Sequence, residues 1–188
     1  MFRRALLGLL ATVSMTAALV AGAAPQAAAS GDDGVHAAVV TITYSDARAG
    51  EFANAVTQGV AIWNASVTNV RIVKAAAGTR ADVQVIADDG WPRATLGPVR
   101  PGGSGTVWMG RQAVYQGYNV VRIASHEFGH ILGLPDRKPG PCSSLMSGSS
   151  AGVSCTNPYP NSTEISRVQW LYSGWFAAAG GTGKVVID

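Results

Sequence analysis

The chain is 188 residues long, with 47% apolar and 13% charged residues, which is enough for one domain with a buried core and excludes intrinsic disorder. Its formal charge is +3, but Arg3 and Arg4 lie in an N-terminal stretch without acids, so residues 30–188 carry only 3 − 2 = +1. No Lys/Arg cluster remains there, which argues against nucleic acid as a partner.

Met1-Phe2-Arg3-Arg4 is a short basic head, and Ala5 to Ala21 is an apolar run broken by Gly8, Thr12, Ser14 and Thr16. Small-residue exits follow at Ala21-Gly22-Ala23 and Ala27-Ala28-Ala29. This layout is that of a secretory signal peptide over residues 1–29, cut after Ala23 or after Ala29. A membrane anchor is the competing reading, but the run is weakly hydrophobic and ends in small residues. Residues 30–36 are a candidate short pro-segment, and residues 37–188 are expected to form a single domain. The exported chain is expected to be extracellular, monomeric and free of the membrane. Its two cysteines, Cys142 and Cys155, then read as one disulfide. Closing a loop of roughly 14 residues stabilises a fold by about 3 kcal/mol in the chain-entropy account.

Val39 to Tyr44 is β-branched and apolar and predicts a first strand. Phe52, Ala55, Val56, Gly59, Val60 and Trp63 recur at helical spacing, predicting an amphipathic helix over 51–64. Val70–Val73 and Val83–Ile86 predict two further strands, and Gly90 to Gly105, with three prolines, reads as loop. Thr106–Met109 predicts a strand beside the cleft. Asn119 to Leu132 is helical by its apolar spacing, with Gly133 and Pro135 as stop signals. Pro135 to Pro160 is loop-rich. Asn161-Ser162-Thr163-Glu164 can cap a last helix carrying Ile165, Val168, Leu171, Tyr172 and Trp175. The fold expected is α+β.

His126 and His130 stand four apart on the predicted helix, so both imidazoles can reach one metal ion. Glu127 lies beside the first, where it can reach a water at that metal. This window holds two of the three histidines in the chain, the third being His36 near the start of the exported part. The run continues as H-E-x-x-H-x-x-G-x-x-D, in which Gly133 lets the chain reverse and Asp136 returns as a third ligand. Zinc accepts a carboxylate oxygen at about 2.0–2.2 Å, and three protein ligands leave the open position of a catalytic site. The expected chemistry is hydrolysis, with Glu127 as general base. The alternative is a secreted zinc-binding protein with weak or lost catalysis.

His126 to Asp136, together with Cys142-Ser143-Ser144-Leu145-Met146-Ser147-Gly148 and Ser154-Cys155-Thr156-Asn157-Pro158-Tyr159-Pro160, resembles the snapalysin family. These are small neutral metalloproteases secreted by Streptomyces-type bacteria and compact members of the metzincin group. The resemblance implies a metzincin-like zinc peptidase fold: a small twisted, mostly parallel sheet packed on two long helices, with a loop-rich C-terminal subdomain ending in a third. It implies one Zn2+ per chain, extended polypeptide substrates with a large apolar residue after the cleaved bond, and Met146 as a methionine turn beneath the metal. It also implies that the Cys142–Cys155 loop shapes the pocket for that residue. Family members carry a tyrosine two residues after the aspartate ligand, where it can assist the oxyanion; here Lys138 stands there, so a cation serves or the role is vacant. A family Ca2+ site would fall on Asn119 and Val121, which offer one side-chain oxygen and none, so calcium is not expected. Substrate is expected to pair with a sheet edge, with Thr106–Met109 as the candidate.

Overall fold

The computed structural model describes residues 39–174 and 184–188. The expected signal peptide, the candidate pro-segment and Trp175 fall outside the described residues. The elements are β1 (Val40–Arg48), α1 (Ala53–Ser66), β2 (Val70–Lys74), β3 (Val83–Asp88), β4 (Arg93–Thr95), β5 (Gly105–Gly110), α2 (Arg111–Tyr115), α3 (Val120–Ile131), α4 (Ser162–Tyr172) and β6 (Val185–Ile187).

Among the described residues six strands form one sheet, in the order β2-β1-β3-β5-β4-β6. The pairs β1/β2, β1/β3 and β3/β5 are parallel, whereas β4 runs antiparallel to both β5 and β6. The expected α+β class with a mostly parallel sheet is therefore what the structure has. Alternation does its usual work in the parallel part: Ile42, Tyr44, Val70, Ile72, Val83, Val85, Val107 and Met109 turn inward and are buried.

Two long helices cover that face. Helix α1 follows a 3-10 turn at Gly50–Phe52, buries Val56, Gly59, Val60 and Trp63, and meets α3 at Gly59 and Trp63. Gly59 is required by contact: a Cβ there would stand 2.9 Å from the backbone nitrogen of Ser125 and 3.0 Å from the carbonyl carbon of Ala124. Four residues on, the Trp63 indole Nε1 donates to Ser125 O at 2.8 Å, and Phe128 packs edge-on against Tyr44 at 5.9 Å. Helix α3 is buried from Arg122 to Ile131, so its position is fixed on every side. That rigidity matters because α3 carries His126, Glu127 and His130.

Three expectations are corrected. Residues 90–105 are not all loop, because the three-residue β4 forms within them; a strand that short leaves no alternation to read. Thr106–Met109 is a strand, but as part of β5 it lies between β3 and β4 and offers no free edge. Beyond β4, β6 completes the sheet, and neither it nor the one-turn α2 was foreseen.

Asp82, just before β3, knits the lower end of the sheet. Its carboxylate accepts from Thr43 N and Thr43 Oγ1, both at 2.8 Å, and from Gly102 N at 2.7 Å. Burial alone would raise its pKa, but these donors outweigh burial and hold it below the usual carboxylate value. A depressed native pKa stabilises the fold above the unfolded value of about 3.9, and the gain disappears as pH falls through the native value. Asp82→Asn should therefore flatten the loss of stability below about pH 4. Urea midpoints of the metal-free chain between pH 3 and pH 7 measure this; parallel curves for wild type and variant would contradict it.

Candidate metal centre

Asn119 opens α3 as its N-cap, accepting from Arg122 N at 2.9 Å. With its oxygen engaged there, and Val121 without one, calcium finds no support at this end of the helix. At the other end Gly133, at φ +97°, reverses the chain, with Leu134 N donating to Gly129 O at 2.9 Å. The reversal also orients a ring: His130 Nδ1 lies 2.7 Å from Leu134 O. His126 Nδ1 is held likewise, 2.9 Å from Leu145 O. In the neutral ring, the tautomer that donates Nδ1–H to these carbonyls leaves Nε2 to accept, which is the form that ligates a metal.

The rings stand perpendicular, their centroids 4.6 Å apart. Asp136 Oδ1 comes back to 3.3 Å from His126 Nε2 and 3.5 Å from His130 Nε2. Both Nε2 atoms and that oxygen are buried without a hydrogen bond. One donor atom from each of His126, His130 and Asp136 lies within 4.8 Å of the others, a grouping that fits a metal ion. Orphaned buried nitrogens and a carboxylate oxygen are costly unless a cation joins them, and two imidazoles plus one carboxylate suit zinc. A second cluster, His126, Glu127 and Asp188, shares His126.

Glu127 is fully buried and neither carboxylate oxygen has a partner. Burial, ahead of any neighbouring charge, pushes its pKa well above the ordinary glutamate value. At His126, burial disfavours the imidazolium, but Asp136, Asp188 and Glu127 outweigh it and lift the pKa to about 9. At His130 burial dominates and the pKa falls. Lys138 points into the same space, with Nζ 3.5 Å from Asp136 Oδ2 and 2.9 Å from Asp188 Oδ1.

Below α3 the chain crosses as a 3-10 segment, Leu145–Ala151, interrupted at Gly148. Met146 is fully buried here, and a Cβ added to Gly129 would stand 2.5 Å from its Sδ, so the methionine lies directly under the helix between the two histidines. Its carbonyl accepts from Arg137 N at 2.8 Å, which ties the Asp136 loop to the same turn.

Two buried charges hold this turn in place. Glu164 Oε1 accepts from Ser144 Oγ at 2.7 Å and Met146 N at 2.9 Å, while Oε2 accepts from Leu145 N at 3.2 Å and Asn161 N at 2.8 Å. The Glu164–Asn161 capping box at the start of α4 is the expected one. That the same carboxylate anchors the turn was not legible. From α3, Arg122 donates to Ser144 O at 2.9 Å, to Ser147 Oγ at 3.0 Å and to Asn157 O. An arginine four residues before His126 on an apolar helix was the available signal, since a buried guanidinium must have partners.

Cys142 and Cys155 are bonded, with Cα atoms 5.5 Å apart, and the bridge encloses the Met146 turn. Replacing both by serine should lower stability by about 3 kcal/mol, a fall in Tm on the order of 10 °C. A melting curve that coincides with that of the parent would contradict this.

Residues 39–175 match the Streptomyces extracellular neutral proteinase (M7) family. The chain belongs to that family. The resemblance to snapalysins drawn from the sequence is thus upheld. Among similar proteins, the extracellular small neutral protease of Streptomyces lividans is 43% identical over 76% of this chain and 61% of its own length. Its namesake from Streptomyces caespitosus is 41% identical over 71% of this chain and 98% of its own. The match thus spans about 61% of the length of the first relative. Among solved structures, a hatching-enzyme zinc protease of the medaka Oryzias latipes, high choriolytic enzyme 1, superposes with TM-score 0.48 at 18% identity, covering 71% of this chain and 90% of that one. No described helix is long and apolar enough to cross a membrane.

Proposed function

We propose that the protein is a secreted zinc endopeptidase that acts on extended polypeptides, with His126, His130 and Asp136 as ligands. The observation that carries this reading is the convergence of three buried, unpartnered donor atoms beside the unpartnered carboxylate of Glu127. Export rests on the signal-like residues 1–29 and on the relatives, which are named extracellular proteases.

Zinc held by His126, His130 and Asp136 would supply Lewis acidity to the attacking water and the scissile carbonyl. The remaining work falls to side chains. Glu127, with its proton affinity raised by burial, takes the proton from the water and hands it to the departing nitrogen. His126 and His130 keep their orientation through Leu145 O and Leu134 O. Met146 holds up the helix between them and is the methionine turn of the site. Lys138 sets a cation where the carbonyl oxygen would gain charge, standing in for the family tyrosine. Substrate pairs by its backbone with the outer edge of β4 rather than with Thr106–Met109. A cavity of about 210 Å³ lined by Leu134, Pro135, Arg137 and Met146 takes the residue after the cleaved bond.

Metal analysis and casein hydrolysis on one sample, before and after chelation, test the reading. The expected result is one zinc per chain, activity lost with the metal and recovered with its return; hydrolysis that survives complete zinc removal would overturn it. One observation favours a zinc-binding protein of low activity. Lys138 and Asp188 pair with each other at 2.9 Å beside His126 and Asp136, next to the three donor atoms. The same assay decides, since zinc without hydrolysis selects that reading.

A further inference from the structure

Lys184-Val185-Val186-Ile187-Asp188 is a β-branched run after a glycine-rich stretch, with an acid at its end. It lies antiparallel on the outer edge of β4, with Val185 opposite Thr95, Val186 opposite Ala94 and Ile187 opposite Arg93. The ladder continues past both ends: Leu96 N donates to Lys184 O at 2.5 Å, and Asp188 N to Pro92 O at 3.1 Å.

Its side chains do not behave like those of a structural strand. Val185 is 43% exposed and Ile187 62% exposed, and Val186 between them is only partly buried, so the segment is held mainly by its main chain and buries little apolar surface. A structural strand would be expected to bury one face. Only Asp188 is enclosed, its side chain 6% exposed. Its Oδ1 lies 2.9 Å from Lys138 Nζ, 3.0 Å from Ser149 N, which donates to it, and 3.6 Å from His126 Nε2. The place is shaped for an oxygen: Gly148, at φ +51°, leaves a gap in which an added Cβ would stand 1.9 Å from Asp188 Oδ1.

We propose that Lys184–Asp188 is a built-in ligand of the substrate groove. It mimics a bound peptide along β4 and places the Asp188 carboxylate, clamped by Lys138, against the metal site. The proposal rests on the reading of the β4 edge as the substrate groove. Main-chain pairing is indifferent to side chains, so any extended peptide can take the place of the segment, which acts as a competitive occupant. Lys138 thereby gains a second role, as the docking cation for an acidic residue beside the metal. If the segment closes the groove nine-tenths of the time, the apparent KM rises about tenfold and kcat is unchanged.

The test compares the zinc-loaded full chain, a chain lacking Lys184–Asp188, and Asp188→Asn. Fluorescein-labelled Lys-Val-Val-Ile-Asp, followed by polarisation, should bind the shortened chain at least about tenfold more tightly than the full chain. Lys138→Ala in the shortened chain should weaken that binding. For an internally quenched peptide substrate, KM should fall about tenfold in the shortened chain and in the same direction in Asp188→Asn, at constant kcat. Should the shortened chain fail to fold, Asp188→Asn carries the KM comparison on its own. Equal KM in Asp188→Asn and full chain overturns the proposal, as does peptide that binds full and shortened chains alike. If the chain proves to have no peptidase activity, the polarisation arm still decides the self-ligand. If it is a peptidase and both arms are flat, the self-ligand alone falls.

Discussion

Glu127→Gln should keep one zinc per chain and hydrolyse casein about 10²–10⁴-fold more slowly than the parent. The amide preserves the shape of a side chain that is fully buried on α3, so the helix, the two histidines and the reversal at Gly133 have no reason to move. What is lost is the ability to take a proton from water and pass it on. In the parent the carboxylate has no hydrogen-bond partner within the protein, which leaves both oxygens available for that transfer. The measurement is a paired one, zinc content and initial rate on the same preparation. A variant as active as the parent removes Glu127 from the mechanism, whatever its zinc content.

Glu164→Ala should cost about 3–5 kcal/mol of stability and weaken zinc binding about 10–100-fold, although the residue touches no ligand. The carboxylate takes hydrogen bonds from Ser144 Oγ, Leu145 N, Met146 N and Asn161 N. Truncation leaves the two backbone N–H groups of the methionine turn buried and unpaired, which is dearer than losing the bonds themselves. The effect reaches the metal through one further bond. Leu145 donates its amide to Glu164 and its carbonyl holds His126 Nδ1, so a turn that drifts lets the imidazole rotate. Glu164→Gln keeps an acceptor and should fall between parent and alanine variant. Urea unfolding together with zinc titration against a competing chelator measures both effects. A destabilised variant with unchanged zinc affinity would separate the turn from the site.

The parts of this protein that could be read from its residues are those where one short window carries the whole signal. The 51–64 periodicity became α1, and Asn161 and Glu164 became the capping box of α4. His126, Glu127, His130 and Asp136 fall within eleven residues, so their spacing could be translated into geometry before any coordinates. What escaped depends on distant chain segments meeting. Strand β4 is three residues long and takes its place because β5, ten residues further along the chain, pairs with it. Glu164 looked like a cap and nothing more, since its anchoring of Leu145 and Met146 spans up to 19 residues of sequence. Asp188 reaches His126 and Lys138 from the far end of the described chain, and no local pattern could bring them together. Lys138 was visible only as a departure from the family tyrosine; its partners turn that departure into a positioned cation.

Among the described residues two clusters could hold an ion, His126 with His130 and Asp136, or His126 with Glu127 and Asp188, and only the first leaves Glu127 free to act as a base. Anomalous diffraction collected at the zinc absorption edge from crystals of the zinc-loaded chain distinguishes them in one experiment. The expected result is a single peak about 2.0–2.2 Å from His126 Nε2, His130 Nε2 and an oxygen of Asp136. A peak coordinated by Glu127 and Asp188, or no peak at His130, would contradict the site assigned here.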